Sequence, residues 1–403
     1  MFRNIITVLC ILAGIQSFAQ NLKTGVLVVG SGPSALAAAI QSANSGVKTL
    51  LIDAGRFDAI TLSASDRAVK AGIYNGFSTI VDSLQKSPLM DSHSLTPAFT
   101  AQVFKVWTDT LKNLTVLPNA SIKKLERSGK GWEVDLTDRE IKADVLVDAT
   151  PAYSIVKLLG INAPKEDAAT SAASIYSDKK YRTSVALTAD DSGSFKTTPL
   201  ASFLVPEVEN LVLARPFGRN GGLLTGQAAG ATAAYCVFFR TSTKNLNVRA
   251  IQTELLSYKS RLIKFDDIPE SDSSMIAFQH LGVTGILKAR EREGKLLFQP
   301  DSSVSTEELK QPLRELYSRS QIWFLDNKSD KISLETALSL IKFVGSRGDE
   351  LNREVEKAWS SSLKLDGKYD LKRPVTRRMM AVLLDTYLEP YTVAVDLDGN
   401  VRS

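Results

Sequence analysis

The stretch from Val26 to Asp53, VLVVGSGPSALAAAIQSANSGVKTLLID, leaves this chain few ways to fold. A strand-like run, Gly25–Val29, meets a glycine turn. A helix-like run follows from Pro33 to about Ser45, and a second apolar strand ends on Asp53. Gly30, Gly32 and Ala35 stand at the G-x-G-x-x-G/A positions. Gly30 lets the chain turn sharply off the strand. Gly32 has no Cβ, so a pyrophosphate can approach the backbone. Ala35 is small enough for helix and strand to pack closely. With Ser31, Pro33 and Ser34 these residues form a loop whose N–H groups, at the positive end of the helix dipole, face phosphates. Asp53 is placed to accept hydrogen bonds from an adenosine ribose, and its charge would repel a 2′-phosphate. An ordinary strand–turn–helix unit without a ligand is the other reading of the glycines alone.

The residues before this unit read as a targeting segment. Arg3 precedes the apolar run Ile5–Ile15, and Ser17-Phe18-Ala19 has the small-x-small cleavage pattern. The expectation is a signal peptide over 1–19 and an exported, periplasmic or secreted protein. The apolar run is too short for a bilayer span. Lipid attachment at Cys10 is not expected, because no small residue precedes it and the apolar run continues past it. Cys236 is the other cysteine and sits among Ala, Tyr, Val and Phe, as a core residue does. The net charge of +5 is spread without a long basic run, which gives no indication of a nucleic-acid partner. The two histidines, His93 and His280, lie far apart, and neither a metal-ligand cluster nor a Ser-His-Asp set is visible.

Further along, Leu114–Leu117 reads as a short strand. Ile122–Arg127 and Trp132–Leu136 read as a hairpin around Gly129 and Gly131. Ala143–Ala149 (ADVLVDA) is apolar enough for a buried parallel strand returning beside the glycine turn. Glu209–Ala214 is another strand of that kind. It leads into Gly226–Ala234 (GQAAGATAA), a helix whose small residues allow close approach of a planar ligand or of another helix.

These motifs, in this order, resemble the FAD-dependent oxidoreductases of the glutathione-reductase type of fold. More narrowly they resemble an exported bacterial group labelled xanthan lyase-like, through VLVVGSGPSALAAAI, SASDRAVKAGIYNGFSTIVDSL, NLTVLPNASIKKLE, IKADVLVDAT and LVPEVENLVLA followed by GQAAGATAA. The resemblance implies an α/β, Rossmann-like FAD/NAD(P)-binding domain over 20–240, with reduced cap insertions at about 58–111 and 151–200. It implies FAD as cofactor and a small-molecule substrate. Gly30, Ser31, Gly32, Pro33, Ser34, Ala35, Asp53, Gly226 and Gln227 are the implied cofactor residues, with Arg219, Tyr74 and Asn75 as candidates near the flavin. The chain departs from such relatives at Arg56–Leu62, where a glycine pair is missing, and at Pro151-Ala-Tyr-Ser154. No catalytic acid, base or nucleophile is named.

Residues 241–403 are richer in charge and helical periodicity, and an all-α C-terminal domain is expected there. Phe265–Pro269, Ile276–Leu287 and Leu296–Leu313 resemble an S-layer homology repeat, and Ile332–Tyr391 a second, diverged copy. Ser305 and Glu308 have capping-box spacing. The first copy keeps Glu308 but has Thr306 at the arginine place of a Thr-Arg-x-Glu element; the second keeps Arg377 but has Met379 at the acid place. An exported flavoprotein oxidoreductase is the leading expectation. A non-catalytic descendant serving binding or assembly, and an envelope-glycan binder acting through the repeats, are the alternatives.

Overall fold

A computed structural model describes residues 21–53, 57–85, 95–162, 170–171, 174–189, 195–215 and 221–402. The expected signal segment with Cys10, and Arg56, His93 and Arg219, lie outside the described residues.

Strand β1 (Leu22–Gly30) is apolar on both faces: Val26 and Val28 enter one core, Leu27 and Val29 the other, and all four are buried. That pattern suits only the middle of a covered sheet. On one side β1 pairs in parallel with β2 (Thr49–Asp53), and β2 with β3 (Leu114–Pro118). Strands β4 (Lys124–Ser128) and β5 (Gly131–Asp135) form the expected hairpin. Strand β6 (Glu140–Ala149) returns on the other side of β1 in parallel, with Gly30 opposite Ala149. A small antiparallel sheet of β7 (Thr170–Ser171), β9 (Phe195–Pro199) and β8 (Ser184–Ala189) follows, in that spatial order. The outer edge of β6 is divided. Its first half pairs antiparallel with β5, and its second half pairs in parallel with β10 (Leu211–Leu213). The parallel core therefore runs β3-β2-β1-β6-β10, an α/β sheet of Rossmann type with the C-terminal ends of all five strands along one edge.

Helices Pro33–Asn44 and Leu223–Phe238 cover one face. Trp132, Tyr153, Ile155, Val156 and Val205 cover the other. The 58–111 insertion is helical, with Ala64–Ala68, Ile73–Gln85 and Pro97–Thr110.

The C-terminal region is mostly helical but not all-α. Strands β11 (Arg290–Arg292) and β12 (Lys295–Leu297) form a hairpin. The stretch from Leu296 starts extended. Asp266 Oδ2 accepts the Leu296 N–H (2.8 Å), and Asp267 accepts those of Phe298 (2.8 Å) and Gln299 (2.6 Å). The helix begins only at Thr306, with the Ser305 hydroxyl accepting the Glu308 N–H.

Three helix entries, rather than the two implied by the expected copies, close a ring of backbone bonds. Ile332 N–H donates to Val304 (3.0 Å), Val375 to Ile332 (2.8 Å) and Val304 to Val375 (3.3 Å). Each is followed by a capping hydroxyl, Ser305, Ser333 or Thr376, at the start of Thr306–Leu316, Leu334–Gly345 or Arg377–Tyr387. The middle entry carries neither arginine nor acid at the compared positions, so it leaves no motif in the sequence. Arg377, fully buried, donates to Phe298 O (2.6 Å) and Lys288 O (2.8 Å) and pairs with Glu308. The arginine of one entry and the acid of another thus form a single internal tie.

Candidate functional site

The C-terminal edge of the parallel sheet collects the loop residues foreseen in the sequence. Gly30 has φ +143°, and a Cβ there would lie 2.4 Å from the Ala149 carbonyl carbon and oxygen. Glycine is needed because β6 passes so close, as well as for the turn. Gly32 has φ +78° and is the N-cap of helix Pro33–Asn44, which has Pro33 at its start and no side-chain cap. The first N–H groups of that helix are therefore not closed by a capping side chain. Among the described residues, a Cβ on Gly32 would meet one heavy atom within 4 Å, the Arg215 Nη2 at 3.7 Å. Space of this kind at a helix N-terminus can admit a phosphate. Asp53 ends β2, one strand over, and is 3% exposed.

Arg215 was not foreseen. It follows β10 and reaches back over the glycine loop, with Nη2 donating to Ser31 O (2.8 Å) and Nε to Ser34 Oγ (3.1 Å). Gly221 makes room: a Cβ there would fall 2.3 Å from Arg215 Cγ. Burial lowers the Arg215 pKa from its ordinary value, and nearby Asp148 acts in the opposite sense. A guanidinium remains charged under all ordinary conditions. The sequence signal was an arginine just after a buried strand at the switch edge, but Arg219 in the same link drew the attention.

Asp148, near the end of β6, is buried and shapes the departing turn. Its Oδ1 accepts from the Thr150 N–H (2.9 Å) and hydroxyl (2.6 Å), and its Oδ2 from the Val156 N–H (3.2 Å). Burial raises its pKa, against the pull of those bonds. Ala152 and Tyr153 follow in left-handed conformation, φ 52° and 57°.

The small-residue helix Leu223–Phe238 lies against the loop helix. A Cβ on Gly226 would come within 2.2 Å of Ser34 O, and one on Gly230 within 2.3 Å of Ala38 O. The two glycines meet residues four apart in the same direction, so the helices run in the same sense. Gln227 is fully buried. Its Oε1 accepts the Ile73 N–H (3.1 Å), and its Nε2 donates to Gln41 (2.9 Å). Gly226 and Gln227 are thus packing and tie residues between the two helices and the Ile73–Gln85 helix.

The N-terminus of this second helix is closed. Asp66 Oδ1 accepts the Leu223 N–H (2.7 Å), while its Oδ2 accepts from the Ser63 N–H (3.0 Å) and hydroxyl (2.7 Å). Burial raises the Asp66 pKa despite the bonds from Leu223 and Ser63. A cavity of about 20 Å³ lies beside it, lined by Ser65, Leu187, Thr188 and Gly222, with room for one water.

The other candidates are spread elsewhere. Tyr74 is buried 6.0 Å from the Phe77 ring, in a row continuing to Phe104 and Trp107. Asn75 lies half-buried in the first turn of that helix. Cys236 is buried, and burial pushes its thiol up to about 12, which makes it a poor nucleophile. His280 Nδ1 contacts Asp385 (2.7 Å), and its ring stacks on Tyr391.

Residues 25–173 match the model of the FAD dependent oxidoreductase family. The match covers less than half of the chain. It supports FAD as the cofactor and an oxidoreductase as the class of enzyme. None of the curated proteins matches the chain. Among solved structures, a flavoprotein/dehydrogenase from Cytophaga hutchinsonii is similar at 13% identity and a TM-score of 0.38, covering 58% of this chain and 82% of that one. The p-nitrophenol 4-monooxygenase PnpA from Pseudomonas putida is similar at 11% identity and a TM-score of 0.33, covering 59% and 84%. The anhydrotetracycline hydroxylase OxyS from Streptomyces rimosus is similar at 16% identity and a TM-score of 0.34, covering 59% and 66%. Among the described residues no helix is long and apolar enough to cross a membrane.

Proposed function

We propose that this chain is an exported flavoprotein oxidoreductase that binds FAD along the C-terminal edge of its sheet and acts on a small organic or sugar-derived substrate. The observation that carries the reading is the open cradle above Gly32, bordered by the Arg215 guanidinium, inside the segment that matches the family. Gly30, Ser31, Gly32, Pro33, Ser34 and Ala35 would hold the pyrophosphate with backbone N–H groups, and Arg215 would add a positive charge. Asp53 would take the adenosine ribose. Gly226 and Gln227 would act at one remove, by fixing the second helix against the loop helix. The flavin supplies the electron-accepting chemistry, and the protein supplies placement and charge. Export is supported by the Met1–Ala19 pattern.

The non-catalytic alternative draws on a different observation. Asp66 already occupies the N-terminus of the helix that would otherwise face the flavin, and a buried carboxylate there opposes negative charge on a reduced ring. A glycan role for the Arg377 and Glu308 motif has less support, because the two residues are spent on each other.

An absorbance spectrum of the purified protein, before and after adding FAD, tests the reading, with Gly32→Glu as control. Flavin bands that co-purify, or appear on reconstitution, and are lost in the folded variant are the expected result. No bound flavin in folded wild-type protein would sink the proposal in favour of the non-catalytic reading.

A further inference from the structure

The opposite edge of the sheet, where the parallel strands begin, is built differently. An open groove of about 570 Å³ runs across it, lined by Lys23, Gly25, Lys48, Lys130, Trp132 and Lys142 among others. Beside it the small-residue helix ends in two exposed phenylalanines, Phe238 at 67% and Phe239 at 59% exposure, with rings 5.1 Å apart. Side chains of this size are usually buried, and a contiguous exposed pair marks a contact surface.

The pair and the groove belong to one surface. The Val237 side chain packs against Gly25, where a Cβ would come within 2.7 Å of it. Beyond the phenylalanines, the Thr243 N–H donates to Asn210 Oδ1 (3.2 Å), and Asn210 Nδ2 donates to Lys130 O (2.9 Å). The chain leaving the helix therefore passes along the groove's rim. Lys142 is paired with Glu140 (3.0 Å) and Glu133 (3.4 Å), and Lys244 with Glu209 (2.7 Å). Among the described residues, Lys23, Lys48, Lys130 and Arg240 have no ion-pair partner, and all four are exposed. The described part of β1 starts at Leu22, on this same edge.

We infer that this edge docks on an anionic lipid bilayer, with Phe238 and Phe239 at the headgroup–acyl boundary and Lys23, Lys48, Lys130 and Arg240 over lipid phosphates. An aromatic pair beside exposed cations fits a surface that offers an apolar interior under a negative plane. An acidic protein partner would meet the charges but offers no apolar layer beneath them. The inference does not depend on the FAD reading.

The test is co-sedimentation of the full chain with vesicles of phosphatidylcholine alone or mixed with phosphatidylserine. Wild type is compared with Phe238→Ser/Phe239→Ser and with Lys23→Glu/Lys48→Glu/Lys130→Glu. All five positions are exposed, so both variants should melt like wild type. Binding to the anionic vesicles is expected, on the order of tenfold weaker in either variant and reversed by salt for the electrostatic part. Unchanged binding in both variants would overturn the inference. Equal binding to neutral vesicles would do the same. So would a wild-type dimer that the phenylalanine variant dissolves while its vesicle binding stays at the wild-type level.

Discussion

Two helices start at the same edge of this sheet, run in the same sense and touch through Gly226 and Gly230, yet their N-termini are opposites. The helix at Pro33 begins on a glycine, has no side-chain cap and has a guanidinium beside it. The helix at Leu223 is closed by the carboxylate of Asp66, brought from a separate helix. Both ends have the same dipole. The open one is prepared for an outside anion, and the closed one has taken an anion from its own chain. On the proposed reading, the phosphate half of the site would be built into the backbone, while the flavin half would face a buried acid.

The contact that keeps these two ends side by side should respond most to substitution. A leucine at Gly226 would drive its Cβ into Ser34 O, a backbone atom that cannot step aside. Overpacking at such a crossing should cost about 3 kcal/mol or more, read as a drop in denaturant midpoint with unchanged m. A cost under about 1 kcal/mol would mean that the helices separate easily and that the two N-termini are not held as a unit.

The closed end should respond less. Asp66→Ala removes the Leu223 cap and the Ser63 bonds, at about 1–2 kcal/mol. The pH dependence sharpens the comparison. Burial raises the Asp66 pKa above its usual 3.8, so the folded state holds that proton more tightly than the unfolded chain does. Its contribution is fully present below 3.8 and is lost as pH rises through the raised folded value. The stability gap between wild type and Asp66→Ala should thus be wider at acid pH than at neutral pH, by denaturant melts at both. A gap that widens with pH would show that the ionised carboxylate, held by the helix end, outweighs its burial.

The open end was readable from the sequence and the closed end was not, for a physical reason. Gly30, Gly32, Ala35 and Asp53 act through local backbone geometry within one strand–turn–helix–strand unit, so their spacing carries the information. Register then followed, since β6 had to return beside β1 with Ala149 against Gly30. Asp66 reaches Leu223 across 157 positions, and Arg215 reaches Ser31 across 184. Such partners have no fixed spacing, and only the packed sheet brings them together. The ring of Val304, Ile332 and Val375 was hidden similarly, because its bonds are backbone bonds that any residues could make. Gly226 and Gln227 were legible as special but not as to why: small residues let a ligand or a helix come close, and here a helix has come close.

Arg215 is the finest test of the open end, because it separates charge from shape. Arg215→Gln keeps a polar side chain of similar reach but removes the positive charge and the fork of donors. If the guanidinium serves the pyrophosphate, FAD affinity should fall roughly tenfold, the value of one charge-assisted contact in a partly buried place. The salt dependence of binding should flatten at the same time. Riboflavin, which has no phosphate, should lose nothing. If Arg215 only braces the loop through Ser31 and Ser34, the loss would be similar at low and high salt, because no charge on the ligand is being met. Titrations of wild type and variant with FAD and riboflavin at two salt concentrations distinguish these cases. A salt-sensitive loss confined to FAD would place the arginine in the cofactor site and make the contrast with Asp66 one of opposite charges at two equal dipoles. A salt-independent loss would reduce that contrast to one of shape.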